Sequence, residues 1–290
     1  MASVDSAIEK ALGGERISRQ EALLLFTSSE FQRIALAADQ VRRRLHPEGV
    51  VSFLIDRNIN YTNVCVARCT FCNFYRRPTD REGYLLPKDI IFKKIEETLA
   101  LGGTGILLQG GMNPELKIDY YEDLLRSIKS KYKIHLHCFS PPEIVVLAKL
   151  SKVTVREAIK RLSQAGLASI PGGGAEILTD RMRKGISPGK CTAEEWLTVM
   201  RTAHEEGLKT SATMMFGAGE TDQELVDAKA PTCTAQEFDC YIWPKDVDGK
   251  SKKEAPVKEN DHGMDSMRYA TMSVDGTNRG RSFRNLPAGF

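Results

Sequence analysis

Apolar residues recur at helical spacing through the first part of the chain. Ala7, Ile8, Ala11 and Leu12 form one such group, and Ala22, Leu23, Leu25 and Phe26 another; together they predict helices across 3–46. Ser18 followed by Glu21 has the form of a capping box and marks a helix start between them. From Val51 the period changes. Short β-prone runs at 52–60, 105–109, 134–139, 167–170 and 209–216 alternate with helical patterns at 87–101, 120–132, 142–150, 155–165 and 193–206. That alternation predicts βαβ units on a parallel sheet, with right-handed crossovers. Polar and glycine-rich residues follow the strands, the end at which parallel barrels place their chemistry. Near residue 226 the rhythm stops. Residues 245–262 are dense in Lys, Asp and Glu, which predicts a loose polar tail with one further strand in 238–243 and a short helix in 261–270. The expected organisation is a helical segment at 1–50, a partial α/β barrel at 51–225 and a separate tail at 226–290.

Composition narrows the class rather than the function. The chain has 290 residues, 41% hydrophobic and 27% charged, with a formal charge of +3. This is ordinary for a globular protein, and the charge is too small to argue for nucleic-acid or membrane partners. No apolar run approaches the roughly 20 residues of a spanning helix, and the start of the chain lacks a basic, apolar leader. The expected location is cytoplasmic, where thiols stay reduced.

The thiols carry the chemistry. Cys65, Cys69 and Cys72 stand in a C-x3-C-x2-C pattern directly after the first predicted strand. A structural zinc site wants a fourth Cys or His at a regular spacing, and none follows. A disulfide framework fits poorly, because the seven cysteines are otherwise scattered. A [4Fe–4S] cubane normally takes four thiolates, so three leave one iron open to a further ligand. Phe71, with Phe74 and Tyr75 nearby, could cover such a cluster or stack on an adenine.

Other candidates lie at the strand ends. Gln109-Gly110-Gly111 closes the second strand, where glycines let main chain approach a ligand closely. His135, His137 and Phe139 share one face of the third; two imidazoles facing a lumen need hydrogen bonds or a use. The run from Ile170 to Leu178 holds three consecutive glycines, read as main chain passing a bulky ligand, and Glu176 would supply a carboxylate for ribose hydroxyls or proton transfer. Met214 or Met215 is equally core filler or cofactor contact. His204 and the basic clusters at 42–44 and 181–184 read as surface residues, and Cys138 and Cys191 as reduced thiols.

The cysteine pattern in this position resembles the radical S-adenosylmethionine superfamily. That resemblance implies a [4Fe–4S] cluster on Cys65, Cys69 and Cys72, and S-adenosylmethionine chelated through its amine and carboxylate by the open iron. It also implies a 5′-deoxyadenosyl radical that abstracts hydrogen, and an electron donor such as flavodoxin or ferredoxin. The combination of Asn60-Tyr-Thr-Asn-Val-Cys65, Leu108-Gln-Gly-Gly111, Phe139-Ser-Pro-Pro-Glu-Ile144, Ser169–Leu178 and Thr213-Met-Met-Phe-Gly217 is similar, over about 5–225, to the futalosine cyclases of menaquinone biosynthesis. The implied substrate is a nucleoside-like small molecule. Its ribose radical would attack an aromatic ring and close a spiro ring, with Gly110, Gly111 and Glu176 as site residues. Aminofutalosine synthases and deazaflavin (FO) synthases are close alternatives, and a catalytically inactive chimera is a third.

Two departures stand out. A His is expected after Phe216-Gly217, where this chain has Ala218-Gly219-Glu220. The family is also expected to continue through a sixth strand. Instead, residues 258–270 resemble the end of the nuclease domain of phage terminase large subunits, in which an Asp at the position of Asp265 belongs to an acidic metal cluster. One Asp does not assemble a two-metal site. The expectation is a truncated barrel joined near 218–235 to an unrelated tail.

Overall fold

A computed structural model describes residues 2–51 and 53–227, together with a two-residue antiparallel pair, Tyr241–Ile242 with Val257–Lys258. The tail expected from 226 onward, its helix at 261–270 and Asp265 otherwise lie outside the described residues.

Three helices come first: α1 (Val4–Gly13), α2 (Arg19–Thr27) and α3 (Phe31–Leu45). The capping box read from Ser18 and Glu21 is present: Glu21 N–H donates to Ser18 Oγ at 3.2 Å, and Ser18 N–H donates to Glu21 Oε2 at 2.5 Å. Gly14, at φ 84°, ends α1 in the left-handed conformation that a side chain would resist. Alternation then begins, with β1 (Asp56–Asn60), α4 (Lys88–Ala100), β2 (Gly105–Gln109), α5 (Ile118–Lys131), β3 (His135–Cys138), α6 (Pro141–Ser151), α7 (Val155–Ala165), β4 (Ser169–Ile170), α8 (Asp180–Ile186), α9 (Ala193–Glu205), β5 (Lys209–Thr210) and α10 (Asp222–Asp227). The five strands pair in chain order, all parallel.

The sheet separates its two faces by residue type. Ile59, Ile106, Leu108, Leu136, Cys138 and Ile170 point toward the helices and join one buried core with Ile91, Ile95, Leu124, Ile128, Ile144, Ile159, Leu162 and Val199. The other face is polar apart from Leu107. Pairing aligns Asn58, Leu107, His137, Ser169 and Lys209 in one row across it, and Asn60 with Gln109 in a row nearer the strand ends. A strand buried on both faces reads as a continuous apolar run; here the inner face keeps polar side chains, so it is free to meet something polar.

The expected strands and helices are present, although β1 begins at Asp56 rather than 52 and β4 at Ser169 rather than 167, with three further differences. β3 stops at Cys138 because Phe139 turns into the left-handed region at φ 59°. The strand expected over 209–216 ends at Thr210; Ser211 N–H still donates to Ile170 O at 3.0 Å, and its hydroxyl meets His137 and Gly172. Helices α8 and α10 were not anticipated. α10 packs on α2, and Phe26 meets Phe216 edge to face at 6.3 Å, so the N-terminal helices reach the segment that follows β5.

Candidate active site

The cysteine loop is fastened at several points. Beyond β1, Leu86 N–H donates to Tyr61 O, Arg76 N–H to Asn63 O and Cys65 N–H to Arg76 O, each at 2.8 Å. The Thr62 hydroxyl donates to Tyr84 O at 2.6 Å, closing the loop's base. The second strand holds the near side: Gly111 N–H donates to Thr62 O at 2.9 Å, Val66 N–H to Met112 O at 3.1 Å and Met112 N–H to Cys65 Sγ at 3.3 Å. The far side is held by the turn after α8, where Pro188 O accepts from Arg68 N–H and Ile186 O from Thr70 N–H. Cys69 is buried, and half-buried Cys65 and Cys72 pack with it against Ala67 and Met112.

The glycines of Gln109-Gly110-Gly111 make this docking possible. A Cβ on Gly111 would lie 2.2 Å from Val64 O and 2.9 Å from Cys65 Cβ, and one on Gly110 would lie 2.7 Å from the Tyr61 ring. Their missing side chains are replaced by protein, not by space reserved for a ligand. The Gly172–Gly174 run is corrected in the same sense. There a Cβ would strike Ser211 O, Gln109 Nε2 and Pro142 Cγ respectively, at 2.2–2.6 Å, so the run lets three strand-end loops interlock.

Beneath the Gly110 turn sits Glu143, a residue of the helix expected over 142–150. It is buried. Its Oε1 accepts from Tyr61 Oη at 2.8 Å and Gly110 N–H at 3.0 Å; its Oε2 accepts from Ser140 N–H at 2.7 Å and Ser140 Oγ at 2.6 Å. Burial pushes this carboxyl above its usual range, against the pull of those four donors. The Ser-x-x-Glu spacing could have announced the helix cap, but no local pattern announces the reach to Gly110 and Tyr61. Tyr61 is itself wholly buried among Tyr121 and Phe139, edge to face at 5.9 and 6.0 Å.

Glu176 also differs from expectation. It is buried at φ 45°, with Oε1 2.5 Å from Lys190 Nζ and Oε2 3.4 Å from Arg183 Nη1. Arg183 lies in the cluster read as surface, yet it is buried and donates to the carbonyls of Gly174, Ala175 and Cys191. The arrangement gives Glu176 the role of counter-ion. It still borders the cysteine loop, since Lys190 Nζ lies 5.4 Å from the centroid of the Phe71 ring, which is 46% exposed. Gln109 ends β2 on the polar face beside Gly173.

His137 is half-buried on that face, with Nδ1 2.6 Å from Ser169 Oγ and Nε2 3.2 Å from Ser211 Oγ. His135 is exposed and its Nε2 is 2.7 Å from the same Ser169 hydroxyl. His204, expected on the surface, is half-buried and bonds Thr210 Oγ1 at 2.8 Å; burial lowers its pKa. Met214 is 41% exposed and Met215 half-buried, so neither is core filler. Cys138 and Cys191 are buried, free thiols.

The cysteine loop carries the donor set of an iron–sulfur cluster, three thiols packed with Ala67 and Met112, although among the described residues no group of three or more His, Cys, Asp or Glu side chains is arranged to hold a metal ion. Burial pushes the Cys65 thiol up, and repulsion from Cys69 and Cys72 adds to this, while amide hydrogen bonds from Met112 and Ala67 oppose it. Metal would draw off those protons on binding, and amide donors to thiolate sulfur are among the features that tune a cluster. Among the described residues, Ser187 Oγ is buried with no hydrogen-bond partner, in the turn whose carbonyls accept from Arg68 and Thr70.

The sequence model of the radical S-adenosylmethionine superfamily matches residues 59–230, and the chain belongs to that superfamily. It is accordingly an enzyme whose cofactors are a [4Fe–4S] cluster and S-adenosylmethionine. A cyclic dehypoxanthine futalosine synthase of Halalkalibacterium halodurans is 47% identical over 264 residues, covering 88% of this chain and 71% of the relative. One from Streptomyces coelicolor is 41% identical over 230 residues, covering 78% and 58%. A 5-amino-6-(D-ribitylamino)uracil–L-tyrosine 4-hydroxyphenyl transferase of Methanococcoides burtonii is 40% identical over 224 residues, covering 77% and 61%. The chain thus spans about three fifths of the length of the latter two. Solved structures agree on the fold: the [FeFe]-hydrogenase maturase HydG has a TM-score of 0.59 at 20% identity, over 77% of this chain and 48% of its own. Methylornithine synthase has 0.59 at 16% identity, over 77% and 62%. Among the described residues no helix is long and apolar enough to cross a membrane.

Proposed function

We propose that this enzyme cyclises dehypoxanthine futalosine, a step of menaquinone biosynthesis. The observation that carries the reading is the 47% identity to a relative of that name over 88% of the chain, above the 40% shared with the 4-hydroxyphenyl transferase. Cys65, Cys69 and Cys72 would hold the cluster, and the turn Gln109-Gly110-Gly111 lies against their loop, where the methionyl end of S-adenosylmethionine would bind. When bound, the cluster and S-adenosylmethionine would supply the radical chemistry that removes a hydrogen atom from the substrate. The chain's own residues do the remainder. Glu143 keeps the Gly110 turn and Tyr61 in place, the loops at 172–174 and 211–213 close over the strand ends, and the polar inner face offers Asn58, Asn60, Gln109 and His137 to a polar nucleoside-like substrate. Phe71 lies on the same loop, positioned to cover an adenine. Electrons would come from a small donor such as flavodoxin or ferredoxin.

The test is anaerobic reconstitution of the purified chain, followed by assay with dehypoxanthine futalosine. Absorbance near ~400 nm from the cluster, reductant-dependent 5′-deoxyadenosine and the cyclised product are expected. Turnover of tyrosine with the ribitylaminouracil instead would transfer the reading to the other family of relatives. A folded chain that takes up no iron would end both.

A further inference from the structure

We propose that the inner face of the sheet carries a proton relay, His135–Ser169–His137–Ser211, from the mouth of the partial barrel to its opposite end. The proposal rests on the cyclase reading and adds the fate of a proton. The geometry is continuous. Ser211 Oγ stands beyond β5 at the mouth, where it also receives Gly172 N–H at 3.3 Å. From it the path runs 3.2 Å to His137 Nε2, 2.6 Å from His137 Nδ1 to Ser169 Oγ, and 2.7 Å on to His135 Nε2. His135 opens β3 and is exposed, whereas Ser169 is buried. The relay therefore leads from the reaction end, through a buried hydroxyl, to an exposed imidazole.

Ser169 makes the chain directional. A hydroxyl has one hydrogen and two lone pairs, so it can donate to only one of two ring nitrogens, and the relay requires that it accept from the other. One and only one of His135 Nε2 and His137 Nδ1 then carries a hydrogen. With His137 protonated at Nδ1, a proton arriving at Ser211 Oγ sends that residue's own hydrogen to His137 Nε2. The Nδ1 hydrogen of His137 passes to Ser169, and the Ser169 hydrogen passes to His135 Nε2. No atom moves beyond hydrogen-bond reach.

Cyclisation onto an aromatic ring provides the proton. A carbon radical adding at a ring C–H position forms one C–C bond and leaves the unpaired electron on the ring. Return to an aromatic closed shell removes one electron, to an oxidised one-electron carrier of the flavodoxin or ferredoxin class, and one proton from that carbon. The electron leaves by the acceptor and the proton by the relay.

The first test needs no turnover. In the full chain labelled with 15N-histidine, long-range 1H–15N correlation should show a hydrogen on one of His135 Nε2 and His137 Nδ1 and not on the other. Ser169→Ala should release that constraint and Ser169→Thr restore it. In the reconstituted enzyme, Ser169→Ala should cut cyclised product per 5′-deoxyadenosine about a hundredfold, the scale of positioned acid–base catalysis, with Ser169→Thr within roughly threefold of wild type. If Ser169→Ala does not fold, His137→Gln, which keeps a hydrogen-bonding side chain but passes no proton, should show the same loss. Hydrogen on both nitrogens or on neither, or an unchanged product ratio in these variants, overturns the relay. Absence of 5′-deoxyadenosine in wild type with dehypoxanthine futalosine would instead strike the cyclase reading, leaving the resonance test to judge the hydrogen-bond chain.

Discussion

Gly111→Ala should uncouple the cysteine loop from the sheet while leaving a folded protein. The added Cβ would meet Val64 O at 2.2 Å, Val64 C at 2.7 Å and Cys65 Cβ at 2.9 Å, all inside ordinary contact distance. Two of these are main-chain atoms, so no rotamer change relieves the clash, and the loop must lift away from β2. Lifting breaks the three bonds that bridge them: Gly111 N–H to Thr62 O, Val66 N–H to Met112 O and Met112 N–H to Cys65 Sγ. At roughly 1 kcal/mol each the loss is about 3 kcal/mol, the upper end of what overpacking costs in a close-packed interior. A domain with about 5–15 kcal/mol to spare remains folded. Two measurements on one preparation check this: urea unfolding of the metal-free chain, and iron per chain after anaerobic reconstitution. The variant should lose about 3 kcal/mol and bind far less iron. Wild-type iron content with an unchanged unfolding free energy would refute the claim that the glycine turn seats the loop. Gly185→Ala is the control. Gly185 lies in α8 with nothing within 4 Å of where a Cβ would stand, and alanine there should raise helix stability by about 0.5–1 kcal/mol.

Glu143→Gln should destabilise the metal-free chain by about 2 kcal/mol, because an amide cannot accept all four hydrogen bonds and leaves a buried donor without a partner. Since burial holds the Glu143 carboxyl above its usual range, the folded state binds its proton more tightly than the unfolded one. Its contribution is complete below the ordinary carboxylate range and declines as pH rises through the raised value. The stability gap between wild type and Glu143→Gln should therefore be widest at acid pH and narrow toward neutrality; a gap that widens instead reverses the sign and the argument. Glu176→Gln should cost about 3–5 kcal/mol by stranding Arg183 and Lys190, read by thermal or urea unfolding; full stability with lost product formation would restore Glu176 to an acid–base role. Cys65→Ser, Cys69→Ser and Cys72→Ser should each yield a folded chain that fails to develop cluster absorbance, and normal iron binding in any one would remove that residue from the ligand set.

How far each feature could be read in advance depends on where its partners lie. The capping box at Ser18 and Glu21, the strand at 105–109 and the helix at 155–165 are written in neighbouring residues, and each is found where its spacing predicts it. The C-x3-C-x2-C loop is equally local, and its place after β1 follows from the alternation around it. Features that need a distant partner were misread. Arg183 looks like one of several surface cations until the carbonyls of Gly174, Ala175 and Cys191 close around it. Glu176 looks like a free carboxylate until Lys190, 14 residues on, reaches it. The glycine runs looked like room for a ligand because a sequence shows the missing side chain but not what fills the space.

These corrections share a direction. Tyr61, Gly111, Glu143, Gly172 and Arg183 all prove to hold one strand-end loop against another, so much of the polarity near the mouth is spent on positioning main chain. What remains for a substrate is the inner face, where Asn58, Asn60, Gln109 and His137 point away from the helices. A radical enzyme must hold its substrate without offering stray hydrogen atoms, and amide, imidazole and hydroxyl groups would bind a polar substrate through N–H and O–H bonds that are harder to break homolytically than an activated C–H. The polar lining is thus better understood as the part of the fold suited to an indiscriminate radical, with the rigid loops above it limiting what that radical can reach.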